Sequence, residues 1–173
     1  MNSFLDPAKV LKQFKLKENM KVADFGCGSG GWTIPLAKIL KKEKIYAFDI
    51  QEEMLSGLRN RAKLENIQSI ETRRCDLEQP KSTGLKDNFL DFVLIPNLLF
   101  QIENKKAIMK EAERILKKGG RVLVLDWSPG AYLGPKESRV SEEEVKKLAD
   151  ELDLKLEKEF KAGSYHFGLI FKK

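Results

Sequence analysis

The chain has 173 residues, which suits one domain and is too short for a second substantial one, so a single domain over residues 1–173 is predicted. Hydrophobic residues make up 42% and charged residues 34%, no apolar run approaches the roughly 20 residues that cross a bilayer, and no signal-peptide pattern occurs, so a cytoplasmic globular protein is expected. The net charge of +6 would suit an anionic partner, but lysines lie beside glutamates as on a solvated surface, so a nucleic acid is the less favoured partner.

A short helix is predicted within the N-terminal residues 1–17. Asp6 and Pro7 are typical of a helix start, since one side chain caps the first amides and the other fits the first turn. Val10 and Phe14 then recur on one helical face. We expect this segment to act as a lid over a site.

Strands and helices alternate through the middle of the chain. Apolar runs predict strands over 21–25, 45–50, 70–75, 90–96 and 121–127, and helical periodicity predicts helices over 32–40, 52–64 and 105–116. The helix before the fifth strand is expected to end at Gly119-Gly120, and polar residues predict a loop over 77–88. This alternation indicates an α/β fold with a doubly wound sheet.

The end of the chain departs from this alternation. Ser141 and Glu144 form a capping box that opens a helix running to Leu152. Two strands follow, over 154–161 and 165–171. Their connection is so short that they must form an antiparallel hairpin.

A glycine-rich loop over residues 24–31 joins the first strand to the next helix. Glycines there allow the backbone to turn tightly and to approach a ligand, with helix N-terminal amides facing it. Gly26, Gly28 and Gly31 also satisfy G-x-G-x-x-G, so a dinucleotide-binding domain is an alternative interpretation.

Acidic residues at the ends of the strands help to separate these interpretations. Asp49 ends the second strand, where its carboxylate could accept both ribose hydroxyl hydrogens in either nucleotide family. Asp24 precedes the first glycine by two residues, where it would repel the phosphates of NAD but face an ammonium group. Asp76 follows the third strand and could accept an adenine amino hydrogen while Leu77 packs on the ring.

On these residues the chain resembles the class I S-adenosylmethionine-dependent methyltransferases. The resemblance implies a Rossmann-like seven-stranded sheet of order 3-2-1-4-5-7-6 with strand 7 antiparallel, and a cofactor across the carboxyl ends of strands one to four. Asp126-Trp127 and Gly134-Pro135 point to the quinone-biosynthesis-like branch. The matching segments are Asp24 to Gly30, Asp49, Cys75-Asp76-Leu77, Leu90 to Asn97, Lys117 to Gly120 and the terminal hairpin.

The resemblance also implies S-adenosylmethionine as cofactor and no metal ion. The catalytic residue is not identified, and Asn97, Asp126 and His166 are candidates. Asn97 lies where the family often contacts cofactor or acceptor, Asp126 would hold an acceptor or brace the following loop, and His166 is a lone histidine, more often structural than catalytic. The expected cofactor-binding residues are Asp24, Gly26, Gly28, Gly30, Asp49, Ile50, Asp76, Leu77 and Asn97.

The methyl acceptor is not identified by the sequence. Residues 128–140 are expected to face it, together with residues 1–17. After the fourth strand the chain has Pro96-Asn97-Leu98-Leu99-Phe100 rather than the pattern of base methyltransferases, so a small-molecule acceptor is predicted. Two other functions stay open: an NAD-dependent oxidoreductase, and a cofactor-binding subunit whose catalysis belongs to a partner.

Overall fold

A computed structural model of the chain describes residues 5–14, 16–135 and 137–173. Within these ranges a single seven-stranded sheet is covered by helices on both faces. The helices are α1 Pro7–Leu11, α2 Thr33–Ile39, α3 Glu52–Leu64, α4 Lys105–Ile115 and α5 Glu142–Asp150, with a 3₁₀ turn over Leu99–Gln101. The strands are β1 Val22–Phe25, β2 Ile45–Asp49, β3 Ile70–Arg74, β4 Leu90–Pro96, β5 Leu116–Trp127, β6 Lys155–Ala162 and β7 His166–Lys172.

The sheet has the order β3-β2-β1-β4-β5-β7-β6, which confirms the predicted topology. The five strands from β3 to β5 pair in parallel, and β7 pairs antiparallel with both of its neighbours. Because β7 runs backwards, its first residue His166 pairs with Trp127 at the carboxyl end of β5. The order reverses between β1 and β4, and ligands of doubly wound sheets bind at such a point.

Buried side chains form a core on each face of the sheet. The cluster under α4 and α5 includes Ile108 and Val145, while the opposite cluster includes Leu36 of α2. Val10 and Leu11 of α1 are buried in that opposite cluster. The predicted lid segment therefore has an apolar face packed against the protein, and its action as a lid stays a prediction. No helix in the described part of the chain is both long and apolar enough to cross a membrane.

Side-chain caps fix two of the predicted helix starts. The carboxylate of Asp6 accepts hydrogen bonds from the first amides of α1, and the Ser141 hydroxyl oxygen accepts one from the Glu144 amide at 3.1 Å. Caps of this kind stabilise a helix by about 1 kcal/mol. Helix α5 ends at Asp150, two residues before the predicted Leu152.

The predicted start of β5 is wrong. Helix α4 ends at Ile115, and the strand begins at Leu116 and continues through both glycines rather than starting after them. Gly119 has φ of +81°, and a Cβ on Gly120 would lie 3.2 Å from the carbonyl oxygen of Asp91 in β4. Gly119 therefore supplies a left-handed backbone conformation within the strand, Gly120 allows β5 to approach β4 closely, and neither glycine caps the helix. The other predicted boundaries fall within two residues of the observed ones, and residues 77–88 form the expected loop.

Candidate functional site

A cavity of about 380 Å³ lies at the carboxyl edge of the sheet, where β1, β2, β3 and β4 end. Larger hollows of about 540 and 510 Å³ occur elsewhere, but this cavity contains most of the predicted cofactor-binding residues. The predicted cofactor-binding residues that line it are Gly26, Gly28, Asp49, Ile50, Asp76 and Leu77. Its other wall residues are Gln51, Met54, Cys75, Glu78, Leu98, Gln101 and Ile102.

The glycine loop forms one side of this cavity. The amides of Gly26 and Cys27 both donate to the Phe48 carbonyl oxygen at 2.9 Å, which holds the loop against β2. Gly26 and Gly28 have φ of +69° and +51°, a region that L side chains rarely adopt. A Cβ on Gly28 would meet nothing within 4 Å, whereas one on Gly26 would lie 2.8 Å from Leu98. The open space at Gly28 allows a ligand to approach the backbone.

Asp49 is held in a fixed orientation at the mouth of the loop. One carboxylate oxygen accepts from the Gly28 amide and the other from the Gln51 amide, each at 2.9 Å. Each oxygen of a carboxylate has two acceptor sites, so both oxygens keep capacity for a ligand hydroxyl. Ile50 and Met54 line the same cavity with exposed fractions of 56% and 39%, an apolar surface that a flat ring could cover.

Asp24 is fully buried beside the loop and does not line the cavity itself. Its Oδ2 accepts a 2.6 Å hydrogen bond from the Thr33 hydroxyl, while Oδ1 has no donor among the described residues. Burial raises the pKa of this carboxyl group to about 7, the Thr33 hydrogen bond opposes that rise, and the nearby Asp49 charge adds to it. A buried oxygen without a donor is uncommon. The contact of Asp24 with the cofactor stays a prediction.

Asp76 and Leu77 lie on the wall formed after β3. The Asp76 carboxylate accepts from the Glu78 amide at 3.0 Å and from the Gln79 side-chain amide at 3.2 Å. These bonds orient the carboxylate and leave acceptor sites for a ligand amino group. Leu77 is 6% exposed and contributes apolar surface to the same cavity.

Gly30 and Asn97 lie outside the cavity wall. A Cβ on Gly30 would stand 2.4 Å from Leu58 Cδ1, so this glycine permits α3 to pack closely; its predicted cofactor contact stays a prediction. Asn97 has φ of +51° and donates its amide to the Leu125 carbonyl at 2.6 Å. Its Oδ1 is buried without a hydrogen-bond partner among the described residues, and the next residue, Leu98, does line the cavity.

The other two catalytic candidates lie farther along the same edge of the sheet. Asp126 accepts from its neighbour Trp127 at 2.8 Å and from Phe100 at 3.3 Å, so its carboxylate supports the turn after β4. Burial raises the pKa of Asp126 to about 6 despite these bonds. His166 is buried against the Trp127 ring with 4.1 Å between ring centroids. Neither Asp126 nor His166 lines the candidate cofactor cavity.

Some site residues were missed by sequence reasoning. Thr33 contacts Asp24 because α2 begins over the end of β1. No local sequence pattern predicts that contact. Met54 could have been predicted from the sequence. It is an apolar residue in the first turn of the charged helix α3, four positions after Ile50, and both residues line the cavity. Among the described residues, histidine, cysteine and acidic side chains form no group of three that could hold a metal ion.

Comparisons with known proteins agree with this geometry. A family model described as a methyltransferase domain matches residues 16–166. Demethylmenaquinone methyltransferase from Staphylococcus aureus is 31% identical over 122 residues, which are 69% of this chain and 48% of the relative. Its counterpart from Bacillus mycoides is 27% identical over 73% of this chain and 52% of the relative. The chain thus spans about half the length of the curated relatives it matches.

Solved structures show the same similarity. The crystal structure of a SAM-dependent methyltransferase from Aquifex aeolicus superposes with a TM-score of 0.87 at 29% identity, covering 96% of this chain and 89% of that one. The family model covers most of the chain, and the strand order and cavity match the resemblance found in the sequence. The chain therefore belongs to the class I S-adenosylmethionine-dependent methyltransferases.

Proposed function

We propose that this chain binds S-adenosylmethionine in the 380 Å³ cavity and transfers its methyl group to a small-molecule acceptor. The observation that carries the proposal is the unpaired Oδ1 of Asp24, buried beside the glycine loop. A buried carboxylate oxygen without a donor suits a ligand ammonium group, because ion pairing would satisfy the oxygen and compensate its desolvation. The methionine part of the cofactor carries such a group.

The other acidic residues fit the remaining parts of the cofactor. In this proposal Asp49 accepts the ribose hydroxyls with the acceptor sites that the Gly28 and Gln51 amides leave free. Asp76 accepts from the adenine amino group, and Ile50 and Leu77 supply apolar surface for the ring. Gly28 leaves room for the ligand to lie against the backbone.

The bound cofactor supplies an electrophilic methyl group on a positively charged sulfur. The chain's own contribution is to hold donor and acceptor in line and to exclude water, and positioning of this kind accounts for much of the rate in such a displacement. Asn97 follows β4, and its neighbour Leu98 lines the cavity, so Asn97 is the leading catalytic candidate of this proposal. A general base is required only for an acceptor that must lose a proton.

The cavity disfavours a dinucleotide. Asp24 and Asp49 place two carboxylates at the glycine loop, where the pyrophosphate of NAD would carry two further negative charges. Asp49 could bind a ribose in either nucleotide family, so the repulsion that separates the two ligands comes from Asp24. The related proteins named demethylmenaquinone methyltransferases favour a small molecule as the methyl acceptor of this chain.

Calorimetric titration of the purified chain with S-adenosylhomocysteine tests the proposal, with NAD as the competing ligand. We expect saturable binding of S-adenosylhomocysteine, no binding of NAD, and loss of binding in Asp49→Ala. The control is Asp91→Ala, which removes a carboxylate at the opposite end of the sheet and should leave the affinity for S-adenosylhomocysteine unchanged. Binding of NAD in place of S-adenosylhomocysteine would reject the proposal.

A third function, a subunit that binds the cofactor while a partner catalyses, would pass that titration. A turnover assay distinguishes this subunit from an enzyme, because an enzyme must methylate an acceptor without a second protein. Incubation with radiolabelled S-adenosylmethionine and a panel of hydroxylated aromatic compounds tests this. Labelled product from the chain alone supports the enzyme, and product only after a second protein is added supports the subunit.

A further inference from the structure

The segment that follows β4 forms one wall of the candidate cofactor cavity. Leu98, Gln101 and Ile102 line the cavity, and the 3₁₀ turn Leu99–Gln101 lies within this segment. Leu99 is fully buried in the core cluster under α4, so the turn has one apolar side inside the protein and another side at the cavity. The shape of this wall therefore depends on the contacts that hold the turn.

Two consecutive residues of β5 hold this segment. The Leu125 carbonyl oxygen accepts from the Asn97 amide at 2.6 Å. Oδ2 of the Asp126 carboxylate accepts from the Phe100 amide at 3.3 Å. Within the segment, the Gln101 side chain donates to the Asn97 carbonyl oxygen at 2.8 Å. Of the two bonds to β5, only that of Asp126 uses a side chain, so a substitution can remove it without a change in the β5 backbone.

A charged group is unexpected at the position of Asp126. The residue is 0% exposed, and desolvation disfavours a buried charge. Two amides stabilise the carboxylate there, because Oδ1 accepts from Trp127 at 2.8 Å in addition to the Phe100 bond on Oδ2. An asparagine side chain of the same shape presents an NH₂ group in place of one oxygen, and a protonated carboxyl group presents an O–H. The ionised carboxylate is therefore the form that best satisfies both amides.

We propose that Asp126 is a positioning residue of the cofactor cavity. Its carboxylate holds the turn after β4 so that Leu98 and Gln101 face the cofactor, and the cavity binds the cofactor more weakly when that negative charge is lost. The proposal rests on the proposed function and adds a requirement for an ionised group that does not itself line the cavity. Asp126 acts through the turn, which gives this catalytic candidate a role other than catalysis.

The charge of Asp126 changes within a pH range that is easily reached. Burial raises the pKa of Asp126 to about 6, while its amide hydrogen bonds and the charge of Lys105 in α4 oppose that rise. On the other side lies His166 of β7, which pairs with Trp127 and whose pKa burial lowers to about 4. His166 therefore stays neutral between pH 5 and pH 8, the range over which Asp126 loses its proton.

The Phe100 amide reports on the proposed contact directly, without a ligand. The amide proton of a residue that donates to a carboxylate shifts when that carboxylate takes up a proton. In ¹⁵N-labelled protein we expect the Phe100 resonance to titrate with a midpoint near pH 6, and we expect Asp126→Asn to abolish this transition. A Phe100 resonance in the wild type that does not titrate between pH 5 and pH 7 would overturn the proposal.

Cofactor affinity is measured by calorimetric titration of the wild type and Asp126→Asn with S-adenosylhomocysteine. At pH 8 we expect about tenfold weaker binding by the variant, the equivalent of one hydrogen bond to a charged group. At pH 5 the wild-type carboxyl group is mostly protonated, so the two affinities should differ by only about twofold. The ratio of the two affinities cancels any pH dependence that both chains share, including that of Asp24.

A residue that only stabilises the fold would not produce this ratio. Equal affinities of the wild type and the variant at both pH values contradict the proposal, as does a tenfold ratio that is the same at pH 8 and pH 5. Failure of the wild-type chain to bind S-adenosylhomocysteine would instead reject the proposed function, and the Phe100 titration would still test the contact made by Asp126.

The matched control is Asp91→Asn. Asp91 is likewise a carboxylate on a central strand that accepts a backbone amide, from Lys21 at 2.8 Å, but it lies at the opposite end of the sheet. We expect this variant to bind S-adenosylhomocysteine as the wild type does at both pH values. A loss of affinity in Asp91→Asn equal to that in Asp126→Asn would show a general effect of destabilisation and would overturn the proposal.

Discussion

The hydroxyl group of Thr33, at the start of α2, donates a 2.6 Å hydrogen bond to Oδ2 of Asp24 at the end of β1. This bond joins the two elements that flank the glycine loop. It also leaves the other oxygen of the Asp24 carboxylate as the one that is buried and unpaired. Thr33 therefore fixes which oxygen of Asp24 remains unpaired.

Replacing Thr33→Val should destabilise the apo protein, because it removes the one hydrogen bond that opposes the burial of the Asp24 charge. We expect a loss of about 1–3 kcal/mol in the free energy of unfolding. The loss should be larger at pH 8 than at pH 5, since the carboxylate is charged only above its raised pKa. Urea denaturation at both pH values measures it, and Thr33→Ser, which keeps the hydroxyl, should show little change. Equal losses at the two pH values would contradict this account.

The raised pKa of Asp24 also predicts a pH dependence of stability. Since the folded-state pKa of about 7 exceeds the ordinary aspartate pKa of 3.8, the folded state binds the proton more tightly. The stability that protonation of Asp24 contributes is therefore fully present below about pH 4, decreases as the pH rises from 4 to 7, and is lost above pH 7. Asp24→Asn should gain stability over wild type between pH 4 and pH 8 by up to about 4 kcal/mol. A stability difference that stays constant with pH would reject the assignment.

The position of Gly30 predicts a packing defect in Gly30→Ala. The added Cβ would stand 2.4 Å from Leu58 Cδ1, at a residue whose φ is +92°. We expect destabilisation of about 2–4 kcal/mol, measured by urea denaturation. Gly31→Ala is the matched control, because its Cβ meets nothing within 4 Å and should change stability little. If Gly30→Ala were as stable as wild type and only bound S-adenosylhomocysteine more weakly, the cofactor contact predicted from the sequence would be the better explanation.

One arginine side chain binds many carbonyl groups of the loop after β5. The guanidinium group of Arg139 donates to five backbone carbonyls, those of Ser128, Pro129, Ala131, Leu133 and Pro135. Lysine has one charged nitrogen and cannot reach this set, so Arg139→Lys should loosen the loop. We expect chymotrypsin to cleave after Tyr132 several times faster, with unchanged affinity for S-adenosylhomocysteine. Arg121→Lys, which alters an exposed ion pair with Glu157, is the control and should leave cleavage unchanged.

Local signals predicted those parts of the structure that depend on neighbours in sequence. The bounds of α3 follow from its periodic leucines, and the antiparallel β7 follows from a connection too short for any other pairing. Gly119 and Gly120 misled the prediction, because a double glycine after a helix is typical of a cap, whereas here Gly120 allows β5 to approach β4. The close approach of β5 to β4 depends on how the strands pair in the sheet, so it cannot be predicted from a local sequence pattern.

The candidate site shows the same division. The sequence identified Asp49 and Asp76 from their positions at strand ends, and the structure brings both to one cavity. The Thr33 hydroxyl lies nine residues from Asp24, and the carbonyls bound by Arg139 lie four to eleven residues before it, so these contacts depend on how the intervening loops turn. The unpaired nitrogens of His166 depend on how β7 packs beside β5. Such contacts require the fold before they can be named.

Proton release on ligand binding tests most directly whether Asp24 faces the cofactor ammonium group. At pH 6 the carboxyl group, with a pKa of about 7, is mostly protonated in the free protein, and pairing with an ammonium group would ionise it. Calorimetric titration with S-adenosylhomocysteine in two buffers of different ionisation enthalpy should therefore show a buffer-dependent heat, equivalent to nearly one proton released, that is absent in Asp24→Asn. Tight binding with the same heat in both buffers would contradict the account.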